Sequence, residues 1–292
     1  MGAKDFVQEI REYGPVTEWR WSSESPLVPQ PFWTSCYLVD GLLVDCGAPD
    51  GVEALASYLD ALPDGKFPER CFVTHAHEDH AGAARHLTEV LGVPTFASPK
   101  ALPILHAGRE YADYRRMTWG PRLEPASLVL PLEERLLATP GGKFEFEAFP
   151  VPDHAPCLVA LLEPGQQWAF VADAIQPKYQ MVFGSTMDIP EDVEEIHRSI
   201  AALEARTEGM DDLCLFLPGR RPVRSGRPFL ARRRRELELL HERAHELAAA
   251  GLQVRKIVKK LFGGESFVGT FTWGDLSRVN LVRELLRWPL ES

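Results

Sequence analysis

The chain has 292 residues, 45% of them hydrophobic and 25% charged, with a formal net charge of −10. These proportions belong to a folded chain long enough to bury a substantial core, and they exclude disordered, fibrous and collagen-like classes. An acidic average also argues against a mainly electrostatic grip on nucleic acid, which needs a basic face.

The five cysteines, Cys36, Cys46, Cys71, Cys157 and Cys214, are odd in number and never form a C-x-x-C pair. Neither a disulfide framework nor a thiolate zinc site is indicated, and a reducing cytoplasm is the expected location. The opening MGAKDFVQEIREYG carries acidic side chains where a secretory signal has an apolar run. No stretch approaches the roughly 18–20 apolar residues that span a bilayer, so no membrane segment is expected.

From Val16 to Gly47 the chain reads as short antiparallel strands, VTEWRW, SCYLVD and GLLVDCG, with Gly41 turning between the last two. Asp50 is a candidate cap for a helix over GVEALASYLDAL, Pro63-Asp64-Gly65 stops it, and RCFVTHAH reads as a buried strand entering a loop. One helix is predicted over DHAGAARHLTEVLG, followed by a short strand VPTFAS and a helix from about Pro99. Residues 108–135 break every clean periodicity and read as an irregular insert. Its Tyr111, Tyr114 and Trp119 suit either an aromatic lid or simple loop packing.

KFEFEAFPV, CLVALLE and QWAFVAD read as three strands of a second β layer, separated by turn signals at Pro140-Gly141-Gly142 and Pro164-Gly165. DVEEIHRSIAALEA is an amphipathic helix, and DLCLFLPG is a strand that ends on a Pro-Gly loop. From about Phe229 the chain turns helical and charge-dense, with helices over FLARRRRELELLHERAHELAAAG and QVRKIVKKLFG. A last helix is predicted from Thr272, because Thr272 with Asp275 fits a capping box. A boundary near 226 divides the chain into residues 1–226 and a small C-terminal helical domain, 227–292, which suits either a winged-helix-like domain or a helical cap.

The strongest chemical signal is THAHEDHAG at residues 74–82, which crowds three imidazoles and a carboxylate into the six positions 75–80 just after a buried strand. His75 and His77, two apart in extended backbone, project to one side, while Asp79 and His80 fall where a helix begins. Four donors of this kind suit a borderline divalent ion with one position left for water, and zinc is the default. A metal there lowers the pKa of bound water towards about 7.

This pattern resembles the metallo-β-lactamase superfamily, whose H-x-H-x-D-H motif is matched by His75, His77, Asp79 and His80. The resemblance asks for a lone histidine after a later strand, which VPDHAP supplies as His154, and an aspartate closing another, which WAFVADA supplies as Asp173. It implies a four-layer αββα sandwich with the metals at one edge of two sheets, spanning roughly residues 30–225. It also implies that His75, His77 and His154 hold a first ion and that Asp79, His80 and Asp173 hold a second, with Asp173 bridging. Asp45, in LLVDCG, takes the place of a residue that orients the histidine loop. One departure stands out: in FLPGRR, Arg220 occupies the place of the family's last histidine, and a guanidinium has no lone pair for a metal. Arg220 is therefore a candidate replacement for the second ion's charge, pairing with Asp173 or gripping an anionic substrate group.

The expected activity is hydrolysis of an ester, thioester, lactone or phosphodiester bond in a small-molecule substrate by metal-activated water, with Asp79 orienting the water or taking its proton. Zinc, as one or two ions, is the expected cofactor, with iron or manganese as substitutes. A mononuclear iron dioxygenase of the same fold is the alternative. HERAH at 241–245 matches the H-E-x-x-H pattern of zinc proteases, but no third ligand follows at a typical spacing and its surroundings read as an exposed charged helix. The run Arg232 to Arg235 is followed by Glu236, Glu238, Glu242 and Glu246, so a salt-bridged face is favoured over a nucleic-acid site. Cys157 reads as a small buried hydrophobe, and His86, His106 and His197 have no constellation around them.

Overall fold

Period-two alternation near the start of the chain builds the first layer, because Trp19 and Trp21 turn to one face of their strand and Glu18 and Arg20 to the other. Both indoles are almost wholly buried, and Trp19 stacks on Tyr58 at 6.2 Å. On the opposite face Glu18 accepts from Ser35 Oγ at 2.7 Å and Tyr13 Oη at 3.1 Å. The computed structural model describes residues 6–24, 32–184 and 190–290. The chain forms two units, one of Met1–Pro150, Cys157–Ala172 and Phe216–Pro222, the other of Val151–Pro156, Asp173–Leu215 and Val223–Ser292.

In the first unit a seven-stranded sheet runs in chain order through β1 (Phe6–Tyr13), β2 (Val16–Ser23), β3 (Thr34–Val39), β4 (Leu42–Val44), β5 (Arg70–Val73), β6 (Thr95–Ala97) and β7 (Leu130–Pro131). Pairing is antiparallel from β1 to β4 and parallel from β4 to β7. Parallel neighbours need crossovers. Helix α1 (Val52–Asp60) lies between β4 and β5, and α2 (Glu78–Ala81) and α3 (Ala84–Glu89) lie between β5 and β6. Helices α4 (Leu102–Ala107) and α5 (Asp113–Trp119) come between β6 and β7. A second sheet is ordered β8 (Leu136–Ala138), β9 (Glu145–Pro150), β10 (Val159–Glu163), β11 (Trp168–Phe170) and β12 (Cys214–Phe216). Tyr37 of β3 meets Phe170 at 5.2 Å and Phe216 at 5.6 Å edge-on, and those two rings stack at 4.4 Å, locking sheet to sheet.

The second unit contains α6 (Val193–Arg206), α7 (Gly226–Ala249), α8 (Val254–Phe262), α9 (Phe267–Phe271) and α10 (Arg278–Arg287). Asp192 caps α6 by accepting from Glu194 N and Glu195 N. The arginine run on α7 is neutralised as its composition suggests: Arg233 pairs with Glu236, Arg234 with Glu204 and Glu238, and Arg235 with Glu238 and Glu242, while Arg232 lies over the Phe229 ring. No helix among the described residues is long and apolar enough to cross a membrane.

Several local expectations need correction. Strand β1 is not legible in the sequence, because FVQEIREY is exposed along most of its length and is held by pairing with β2 rather than by a buried face. The helix expected over 79–92 is two short ones. Gly82 interrupts it where the backbone of 47–49 passes so close that an added Cβ would fall well inside contact distance of Ala48 C and Pro49 N. Asp50 does not cap α1; it sits in a one-turn 3-10 helix, Pro49–Gly51, and the capping position falls on Gly51. The insert at 108–135 is more ordered than its sequence suggests, holding α5 and a short pairing of Arg109–Glu110 with Arg122–Leu123. Thr272 ends α9 instead of starting a helix: its Oγ1 accepts from Leu276 N, and α10 starts six residues later, capped by Ser277.

Candidate metal centre

Two adjacent parallel strands of the first unit, β4 and β5, end side by side and deliver the first group of residues. Asp45 follows β4 at φ 62°, a left-handed conformation that aspartate tolerates better than most residues. Its carboxylate is buried and takes three donors: Thr74 N at 2.7 Å, Thr74 Oγ1 at 3.0 Å and His80 Nδ1 at 2.7 Å. The Thr74 hydroxyl has one hydrogen, which goes to Asp45, so at 3.1 Å from His75 Nδ1 it accepts from that ring. One carboxylate thus fixes two tautomers. His75 and His80 both carry their proton on Nδ1, the tautomer in which Nε2 is able to act as a metal ligand.

His77 stands at the N-cap of α2, and the His75 ring lies 4.5 Å from His77 and 4.2 Å from His80 between centroids. All three rings are buried. Asp79, on the first turn of α2, puts Oδ2 3.8 Å from His80 Nε2. Glu78, between His77 and Asp79, is buried and held by Arg115 of α5, which donates through Nε to Oε1 and through Nη2 to Oε2 at 2.8 Å. Burial works against the Arg115 charge, but Glu78 outweighs it and raises the guanidinium pKa. Sequence reasoning missed this pair, since nothing in either segment announces the other.

The second unit supplies the other group. His154 lies in the loop after β9, and Asp173 in the short 3-10 turn after β11. His154 Nε2 stands 3.6 Å from Asp173 Oδ2, close to the roughly 3.4 Å that separates two donors bound at about 2.1 Å to one tetrahedral zinc. The other ring nitrogen, Nδ1, is 2.6 Å from Glu191 Oε1. Burial disfavours the charged ring, yet Glu191, Asp173 and Asp153 together raise its pKa to about 9. Sequence reasoning also missed Glu191, one of four carboxylates in IPEDVEE with no motif to single it out.

The donors fit a metal in kind: the His80, His75 and His154 rings are backed on Nδ1 by Asp45, Thr74 and Glu191, and carboxylates stand 3.8 Å from Nε2 of His80 and 3.6 Å from Nε2 of His154. Arg220 is exposed, and its backbone N–H donates to Leu217 O. The Cys157 thiol is buried, faces Ala76 N at 3.5 Å, and is pushed up in pKa by burial, as befits a packing residue. The H-E-x-x-H histidines have other work. His241 Nε2 donates to Trp288 O at 2.9 Å, and His245 Nε2 donates to Leu285 O at 3.1 Å and Trp288 O at 3.0 Å. Both imidazoles serve the end of α10, with His241 stacked on Trp288.

Residues 30–210, more than half of the chain, match the metallo-β-lactamase superfamily. Among solved structures, a metallo-β-lactamase family protein from Thermus thermophilus superposes with a TM-score of 0.61 at 19% identity, covering 97% of this chain and 93% of that one. The metallo-β-lactamase FIM-1 from Pseudomonas aeruginosa, in its mono-zinc form, gives 0.58 at 17% identity over 80% and 96%. A ribonuclease J from Sinorhizobium meliloti is 36% identical over 81 residues, which is 25% of this chain and 14% of that protein; the present chain thus matches about a seventh of that relative. The chain belongs to the metallo-β-lactamase superfamily of metal-dependent hydrolases, with the αββα fold of that family and a C-terminal helical region.

Proposed function

We propose that the chain is a zinc hydrolase acting on an ester, thioester, lactone or phosphodiester bond of a small-molecule substrate. His75, His77 and His154 hold the first ion in this reading, and Asp79, His80 and Asp173 face a second position. The observation that carries it is the hydrogen-bonding of Nδ1 in His75 to Thr74, in His80 to Asp45 and in His154 to Glu191, which fixes each ring with Nε2 turned away from that partner, the orientation a metal ligand needs.

Bound zinc would supply a water acidic enough to give hydroxide near neutral pH. The chain's part is to hold and orient. Asp79, at the rim of the histidine group, accepts the proton or steers the water, and Arg220 grips an anionic group of the substrate or balances the charge of Asp173. The all-thiol state of the five cysteines suits the reducing cytoplasm that we propose as the location. Nucleic acid is not the favoured substrate: the arginine run on α7 is spent on glutamates, and the ribonuclease J match is confined to 81 residues.

Metal analysis of the purified protein, together with a panel of p-nitrophenyl esters, a thioester, a lactone and bis-p-nitrophenyl phosphate, tests the reading. The expected result is one or two zinc ions per chain and turnover of at least one panel member, lost in His77→Ala and Asp79→Asn. Iron as the retained metal, with oxygen consumed on a persulfide, would select the dioxygenase reading that the replacement of the last histidine by Arg220 permits.

A further inference from the structure

Among the residues that none of the motifs names, Glu191 has the least ordinary surroundings. It is buried, at 2% exposure, yet it carries a carboxylate, a group rarely buried without a specific partner. Oε1 lies 2.6 Å from His154 Nδ1, and Oε2 accepts from Phe183 N at 2.6 Å. The Phe183 ring in turn flanks His154, 5.9 Å between centroids. Each oxygen thus has a fixed donor, so the carboxylate cannot rotate without losing one of them.

We infer that Glu191 is a positioning residue of the metal centre, which locks the His154 ring with Nε2 towards Asp173 and raises the basicity of that nitrogen as a ligand. This rests on the proposed metal site and deepens it. A neutral imidazole bonded through Nδ1–H to a carboxylate donates its Nε2 lone pair more strongly than one bonded to a carbonyl, and partners of this kind are typically worth about 10–100-fold in metal affinity. The role parallels that of Asp45 towards His80 in the first unit, but the two are built differently. Asp45 follows a sheet strand and takes three donors, whereas Glu191 precedes α6 and ties the ligand to the backbone of Phe183. Both oxygens of Glu191 are engaged, one by the ring and one by the backbone, which suits a residue that orients a ligand.

The test is zinc and cobalt(II) affinity of metal-free full-length protein, measured by competition with a chromophoric chelator, with the cobalt d–d spectrum as second readout. Glu191→Gln keeps the shape and can still accept from one donor, so it should bind about 10-fold more weakly. Glu191→Ala should bind about 100-fold more weakly with a shifted cobalt spectrum, and Glu191→Gln should lie between it and the wild type. Thermal melting of the metal-free Glu191→Gln variant shows whether the fold is intact, since a purely structural glutamate would move melting and leave the spectrum alone. If the wild type binds metal and loses it in His77→Ala while Glu191→Gln and Glu191→Ala bind as tightly as wild type with the same spectrum, the inference is overturned and the site stands. If the wild type binds no metal, the site itself falls and the inference with it.

Discussion

Arg115 and Glu78 offer the sharpest test of how the insert supports the histidine motif. Arg115→Met removes the guanidinium but keeps much of its buried stem, so little cavity is created and the main consequence is a carboxylate left buried without its partner. Breaking one half of a buried pair costs about 3–5 kcal/mol, whereas replacing both halves by apolar groups of similar size is close to neutral. For a chain of this size the single variant should lose roughly 5–8 °C in melting temperature. Glu78→Leu with Arg115→Met should recover most of it. Thermal and urea unfolding of metal-free protein measure both quantities. A single-variant cost below about 1 kcal/mol, or costs that simply add in the double variant, would refute the claim that the pair works as a unit.

Three further outcomes follow from local geometry. Gly82→Ala should destabilise the chain by at least about 1–3 kcal/mol, since its Cβ would press into the backbone of Gly47, Ala48 and Pro49, where no flexible side chain can give way; a melting temperature equal to wild type would contradict this. Changing His241 and His245 together to alanine should leave metal content and hydrolysis unaltered while costing about 1–2 kcal/mol of stability through the lost bonds to Leu285 O and Trp288 O. Loss of metal in that variant would revive the protease reading. Burial raises the Glu18 carboxyl above its usual range against the donors Ser35 and Tyr13 and the nearby Arg20. The folded chain therefore holds this proton more tightly than the unfolded one. The resulting stability is complete below the unfolded pKa and is lost as pH rises through the folded value. Glu18→Gln should gain on the wild type in melting temperature as pH climbs from about 4 towards neutral, and a difference that is flat with pH would show that Glu18 does not titrate there.

What can be read before folding follows the range of the interaction concerned. The strands β2 to β6 and helices α6 to α8 announce themselves because hydrophobic periodicity is local, and the histidine motif does so because its donors are neighbours in the chain. Strand β1 is silent in sequence since its stabilisation lies in hydrogen bonds to β2 rather than in a buried face. The break at Gly82 and the turn at Thr272 escape for a related reason: the first is decided by contact with distant backbone, and a capping-box pattern has no knowledge of whether a helix follows. Glu78 and Glu191 escape because their partners, Arg115 and His154, are 37 residues away in each case.

That last pair of omissions has a common cause with chemical content. Metal ligands recur as motifs because one ion demands particular donors at close spacing, but the residues that orient them need only reach one ring nitrogen or one motif side chain, and many backbones can deliver a carboxylate there. Asp45 is legible only through the family resemblance; what brings it to the motif in the fold is the parallel pairing of β4 and β5 through Val44 and Phe72. Glu191 is not placed by the motif strand; in the fold it is tied to Phe183 N and stands beside Asp192, the cap of α6. In the proposed centre a change at Glu191 would therefore retune metal affinity through the orientation of His154 without touching the motif.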